Sequence, residues 1–287
     1  MARDEENVYY EYDPSVAAAA IFAALFGISA VVHTVQAVRK RAAFMTPFII
    51  GAFFEAVGYI ARSLSAKDTT ARAPFIVQIL LPLLAPALFA ASIYMVLGRI
   101  ILLTDGEKYS LVRRTWLTKI FVTSDVLTFL LQCGGGAIMA GNQTDPDKIK
   151  LGQNIILVGL FAQLVIFCLF ILVAILFQLR GKAHLQTVDS RITWRKHLYV
   201  LYATSGLILV RSIFRIVEYI MGDGSYLMRY EVFGYVFDAA LMLIVMVIVN
   251  AVHPGDIAPL LKEKLRGGNG FELSESLESQ KRDHVHV

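Results

Sequence analysis

Apolar residues run in seven long stretches along the chain, at roughly 16–38, 46–65, 75–103, 117–140, 152–179, 198–221 and 230–252. Each reaches or approaches the ~20 residues that a helix needs to cross the hydrocarbon core of a bilayer. A transmembrane β-strand would alternate apolar and polar positions, and these continuous runs exclude a β-barrel. The pattern predicts an all-α polytopic membrane protein with seven transmembrane helices. A short arm (1–15) precedes the seven-helix domain (16–252), and a tail (253–287) follows it. Beyond Gly267 the tail is polar and rich in Glu and Ser, a composition expected to stay disordered.

The polar positions inside these runs carry the chemistry. Span 6 contains Arg211-Ser-Ile-Phe-Arg215-Ile-Val-Glu218-Tyr219. At helical period Arg211, Arg215 and Glu218 share one face. A charge at bilayer mid-depth costs roughly 2.5–3.5 kcal/mol even on the lenient insertion scale, so that face must look into protein or water. Span 2 places Gly51, Glu55, Gly58 and Arg62 on one stripe, where the glycines permit close helix contact. Span 4 aligns Asp125, Gln132 and Gly136. Its run Gly134-Gly135-Gly136 fits either a thin or broken segment near the outer leaflet or close packing. Span 7 carries Glu231 and Asp238 seven residues apart.

Span 3 holds Pro82 and Pro86, four residues apart, with Gln78 one turn earlier. Prolines in membrane helices kink them and free backbone carbonyls. Arg99, near the inner end of this span, is expected to reach for the interface. His33 in span 1 reads as a packing histidine, and His253 reads as isolated. Span 5 offers Gly152, Gly159 and a buried Gln163.

The candidate substrate or proton pathway is therefore Glu55, Arg62, Gln78, Asp125, Gln132, Arg211, Arg215, Glu218 and Asp238. By depth, Arg62, Arg215, Glu218 and Asp238 should lie in the outer half, with Glu55 and Asp125 nearer the middle or inner half. Purely structural ion pairs explain the same residues. In either reading Glu55 or Glu218 should neutralise an arginine. Asp238 is the acid favoured as amine or proton site, with Arg211 or Arg215 as its partner.

Charge sets the orientation. Basic residues concentrate in the segments holding Arg39–Arg41, Lys108–Lys119, Arg180–Lys196 and Lys262–Arg282, and are sparse in the alternate set. The positive-inside rule then puts the N-terminus outside and the C-terminus in the cytoplasm. Asn142-Gln143-Thr144 falls on the outer side, making Asn142 a candidate glycosylation site. The net charge of +4 suits an anionic inner leaflet and gives no argument for nucleic acid. Cys133 and Cys168 both fall inside spans, so no exterior disulfide is expected. The acidic start (Asp4, Glu5, Glu6) lacks the basic region of a cleaved signal peptide. No cofactor or metal is expected.

Several motifs in order resemble one family. They are Tyr12-Asp-Pro14, Glu55-Ala-Val-Gly58-Tyr59-Ile-Ala-Arg62 and Leu84-Ala-Pro86-Ala87-Leu-Phe-Ala-Ala-Ser-Ile-Tyr94-Met. Lys119-Ile-Phe-Val-Thr-Ser-Asp125-Val, Gln132, Gly134–Gly136 and the Arg211–Tyr219 motif continue the series. Glu231, Tyr235-Val-Phe237-Asp238 and His253-Pro254-Gly255 complete it. Over about residues 8–256 the chain resembles the fungal RTA-like family, also called lipid-translocating exporters. The resemblance implies a fungal plasma-membrane protein that exports or flips sphingoid long-chain bases and sterol-like amphiphiles, and so confers resistance to toxic lipids. Its partners would be membrane lipids and an amphiphilic substrate.

Without a G-x-x-x-x-G-K-[S/T] motif an intrinsic ATP motor has no support, which leaves a gradient or proton to drive movement. A seven-span lipid sensor or receptor is the main alternative. It lacks the usual exterior disulfide and an intramembrane lysine. A metal-dependent intramembrane hydrolase would need three clustered ligands, and only His33 lies within a span.

Overall fold

The computed structural model describes residues 14–141, 145–188, 193–221, 230–261 and 263–264. Among them all regular structure is helical, and seven helices are long and apolar enough to cross a membrane. Spans 1 to 5 are Val16–Arg39, Thr46–Lys67, Arg72–Leu103, Arg114–Gly141 and Pro146–Arg180. A short helix, Lys182–Thr187, precedes span 6, Trp194–Met221. Span 7 is composite: Glu231–Gly234 is α-helical, Tyr235–Ala240 is a π-helical turn, and Leu241–Ala251 is α-helical again. Residues 1–13 of the N-terminal arm, Asn142, and residues 262 and 265–287 of the tail lie outside the described residues.

Local chemistry starts the helices. The Ser15 hydroxyl accepts from the Ala18 N–H and caps span 1. Asp145 accepts from the Asp147 and Lys148 N–H groups ahead of span 5, and Pro146 occupies the first turn, where its missing N–H costs nothing. Pro47 does the same for span 2.

Span 3 is the most buried of the seven. Phe89, Tyr94, Leu97, Ile100 and Ile101 on it are fully buried, and spans 2, 4 and 6 all pack against it. Large apolar side chains such as Ile21, Ile28, Leu127, Val158 and Ile220 point outward, as befits a bundle whose solvent is hydrocarbon. Two glycine contacts bring helices close. A Cβ on Gly51 would lie 2.9 Å from the Phe89 ring, and one on Gly58 would lie 2.6 Å from the Pro82 ring. Spans 4 and 5 approach through Gly135 and Gly152. A Cβ on either would come within 2.6 Å of the other's carbonyl oxygen.

Span 4 is an unbroken helix through the triple glycine, which decides between the two readings: Gly135 packs closely against span 5, while a Cβ on Gly134 or Gly136 would meet nothing within 4 Å. Arg99 lies half-buried near the inner end of span 3, its guanidinium 3.9 Å from the centre of the Phe44 ring, a cation–π contact.

Candidate functional site

Span 6 turns Arg211 and Arg215, one helical turn apart, toward span 7 and span 3. Opposite them the π-helical turn Tyr235–Ala240 presents Asp238, which is buried. A π turn shifts the register of every side chain after it, and such turns recur at functional sites. Arg211 Nε donates to one oxygen of Asp238 and Arg215 Nη2 to the other. Arg215 Nη1 donates to Glu218 Oε2 at 3.0 Å. The expectation that Asp238 finds its partner on span 6 holds, with both arginines engaged rather than one. Glu218 also neutralises an arginine as expected.

Arg211 makes a second bond, from Nη2 to the Pro82 carbonyl oxygen at 2.7 Å. Within span 3 that oxygen would normally accept from the residue four positions on. That residue is Pro86, which has no N–H. The two prolines thus leave one carbonyl open inside the bundle, and a guanidinium from span 6 fills it. Gln78, one turn before Pro82, is buried on the same helix.

Span 2 contributes two groups at different levels. Arg62 Nη2 donates to Glu231 Oε1 at 3.0 Å, and its Nε donates to the Tyr235 hydroxyl at 3.2 Å. Glu231 also accepts from the Ser15 N–H at 2.9 Å, which ties in span 1. The Tyr235 ring stacks on Phe22 with centroids 5.2 Å apart. Two turns deeper, Glu55 is 1% exposed and its Oε1 has no hydrogen-bond partner. Asp238, Arg211 and Arg215 are its electrostatic neighbours.

The polar groups of span 4 stand apart. Asp125 accepts from the Tyr94 hydroxyl at 2.9 Å, and Gln132 Nε2 donates to Gln163 Oε1 at 2.9 Å. These bonds join span 4 to spans 3 and 5. The single inward array expected from spans 2, 4, 6 and 7 is therefore built from spans 2, 3, 6 and 7. Its span 3 contribution, the Pro82 carbonyl, went unassigned in the sequence. The four-residue proline spacing was the available signal.

A family model described as RTA1 like protein matches residues 48–260, a stretch containing every residue of this network except Ser15 and Phe22. The chain belongs to the RTA1-like family. It is 36% identical to Protoporphyrin uptake protein 1 of Saccharomyces cerevisiae, over 91% of this chain and 97% of that protein. It is 32% identical to the Probable lipid transporter atnI of Emericella nidulans, over 86% of this chain and 67% of that protein. Similarity to the Sphingoid long-chain base transporter RSB1 of Saccharomyces cerevisiae is lower, 23% over 80% of this chain and 69% of that protein. No solved structure matches the chain.

At the other end of this RTA1-like bundle His33, His197 and His253 are all buried. His33 Nε2 bonds the Met246 carbonyl at 3.1 Å, and its ring centre lies 6.0 Å from that of His253. His253 is therefore not isolated, contrary to expectation. Its Nδ1 accepts from the Gly255 N–H at 3.0 Å, fixing the turn that ends span 7. Among the described residues no group of three or more His, Cys, Asp or Glu side chains is arranged to hold a metal ion.

Proposed function

We propose that this RTA1-like protein moves amphiphilic lipids, such as sphingoid long-chain bases or sterol-like toxicants, across the fungal plasma membrane. In this reading the N-terminus is outside and the tail is cytoplasmic. The relatives named for lipid and sphingoid-base transport support the substrate class. The relative named for protoporphyrin uptake fits the same chemistry, because protoporphyrin is also an apolar body with charged edges.

The observation that carries the proposal is the buried Arg211–Asp238–Arg215 cluster, clamped to an open carbonyl of span 3. Charged groups inside a membrane bundle are costly, and by default they mark substrate, ion or proton pathways. Glu218 pairs with Arg215, and Glu55 has Asp238, Arg211 and Arg215 as electrostatic neighbours; both are assigned to the same path, together with Arg62 and Gln78. Asp125 and Gln132 lie outside this cluster and hold span 4 against spans 3 and 5. A lipid headgroup would pass along these groups while its chain stays in the hydrocarbon.

The test is reconstitution of purified protein into vesicles with a fluorescent long-chain base and a quencher confined to the outer leaflet. Wild-type protein should accelerate transbilayer movement of the base. The paired change Arg211→Met with Asp238→Asn, which removes one charge of each sign, should abolish that acceleration. Wild-type vesicles no faster than protein-free ones would refute the transport reading. A conformational response to bound base in such vesicles would then favour the lipid sensor.

A further inference from the structure

Among the described residues Glu55 is the carboxyl of the cluster that makes no ion pair. It is 1% exposed, and its Oε1 meets no donor. The arginines beside it are already engaged. Arg211 holds Asp238 and the Pro82 carbonyl, and Arg215 holds Asp238 and Glu218. Arg62, further along span 2, holds Glu231. Among the described residues of this network, three guanidiniums face four carboxyls.

Asp238, Glu218 and Glu231 match the three cations, and Glu55 is left over. A fourth negative charge there would be buried with neither counter-ion nor full hydrogen bonding, an arrangement that interiors avoid by neutralising the group. The Nε of Arg215 is also buried without an acceptor. Among the described residues the cluster therefore keeps one acceptor and one donor unused, beside a charge count that is one positive charge short.

We propose that Glu55 is an exchange site for a single positive charge, holding a proton in the resting protein and giving it up when the ammonium group of an amphiphilic amine takes its place. The proposal rests on the lipid-translocation reading above and deepens it. In the exchange the carboxyl O–H bond breaks and the proton passes to water. The ammonium keeps its three N–H bonds and one of them is donated to the carboxylate. No electrons change hands and the charge of the cluster is unchanged. The role that the sequence pointed to in Asp238 passes to Glu55, because both oxygens of Asp238 are occupied by arginines. A hydroxyl next to the amine would find the spare Arg215 Nε. Loading an amine from one side then releases a proton, which gives a proton gradient a means of driving the amine.

The experiment uses the full chain in lipid nanodiscs, with sphinganine as the amine probe and N-acetylsphinganine as its uncharged match. Sphinganine should bind with release of about one proton per molecule, read with a pH dye in weak buffer. The N-acetyl compound should release none. Glu55→Gln should abolish proton release and weaken sphinganine binding ~10-fold or more, the scale of a charge-assisted hydrogen bond, while leaving the N-acetyl compound unaffected. Infrared difference spectra of the wild-type protein supply a readout that needs no variant. The carbonyl stretch of a protonated carboxyl should disappear when sphinganine is added. Proton release that persists in Glu55→Gln, or a wild-type spectrum lacking that change, overturns the proposal. Equal binding of both compounds without proton release overturns it and leaves lipid binding intact. Failure of both to bind overturns the translocation reading as well.

Discussion

Arg211 occupies the Pro82 carbonyl that Pro86 leaves without a donor, at 2.7 Å. The bond makes the proline pair of span 3 and the arginine of span 6 a single device. Spans 3 and 6 cannot separate here without stranding a carbonyl in one and a guanidinium in the other. The same arginine grips Asp238, so the device also locks span 7.

Removing one partner of this lock should be worse than removing two. Arg211→Met leaves Asp238 short of a counter-ion and should cost about 3–5 kcal/mol. Adding Asp238→Asn should recover much of that loss, because Arg215 retains Glu218. The check is a thermal double-mutant cycle on detergent-purified protein. Strictly additive losses would count against direct coupling.

The pair Arg62–Glu231 should behave differently. Both side chains keep some exposure, at 22% and 13%, so water can take over part of the lost interaction. Glu231→Gln should cost only about 1–2 kcal/mol, the range for a hydrogen bond to a charged group near its lower end. A loss as large as that of Arg211→Met, measured by the same melting assay, would show that this pair is desolvated too.

The three adjacent glycines of span 4 should respond in opposite ways. A methyl on Gly134 or Gly136 would meet nothing within 4 Å. Gly134→Ala and Gly136→Ala should therefore stabilise the helix by roughly 0.5–1 kcal/mol. Gly135→Leu would drive a side chain into the Gly152 backbone and should sharply lower the amount of folded protein. Fluorescence-detected size-exclusion profiles of the three variants test this directly. Equal behaviour would mean that the close approach of spans 4 and 5 is wrong.

Orientation has its own test. Asn142 should carry a glycan when the protein is made in fungal cells, seen as a mobility shift that endoglycosidase removes and Asn142→Gln prevents. A tag after the tail should resist protease on intact cells. Digestion of that tag would invert the assignment of inside and outside.

The seven spans were legible because length and apolar continuity report directly on a bilayer's thickness. The shared face of Arg211, Arg215 and Glu218 was legible from helical spacing alone. The choice of partner was not, because it depends on the register between helices, which one helix's sequence does not contain. Asp238 owes its position to a π turn that no residue in Tyr235–Ala240 announces. Asp125 and Gln132 read as pathway groups because span 4 alone shows them as buried and polar. Their partners, Tyr94 and Gln163, sit on spans 3 and 5. The glycine run stayed open between a break and close packing for a related reason. Successive residues of a helix turn by ~100°, so only one of three neighbours faces a given contact.

The contact of Gly135 with Gly152 bears finally on how the chain enters the membrane during synthesis. Span 4 is the least apolar of the seven and span 5 the most apolar. A lone span 4 leaving the insertion channel finds Tyr94 of the preceding span for Asp125 but nothing for Gln132, whereas a hairpin already zipped along its glycines delivers Gln132 together with Gln163. Span 4 is therefore expected to stay at the channel until span 5 emerges. A bulky residue at Gly152 would then show itself first as a fourth span left on the wrong side of the membrane, before any folded protein exists to be destabilised.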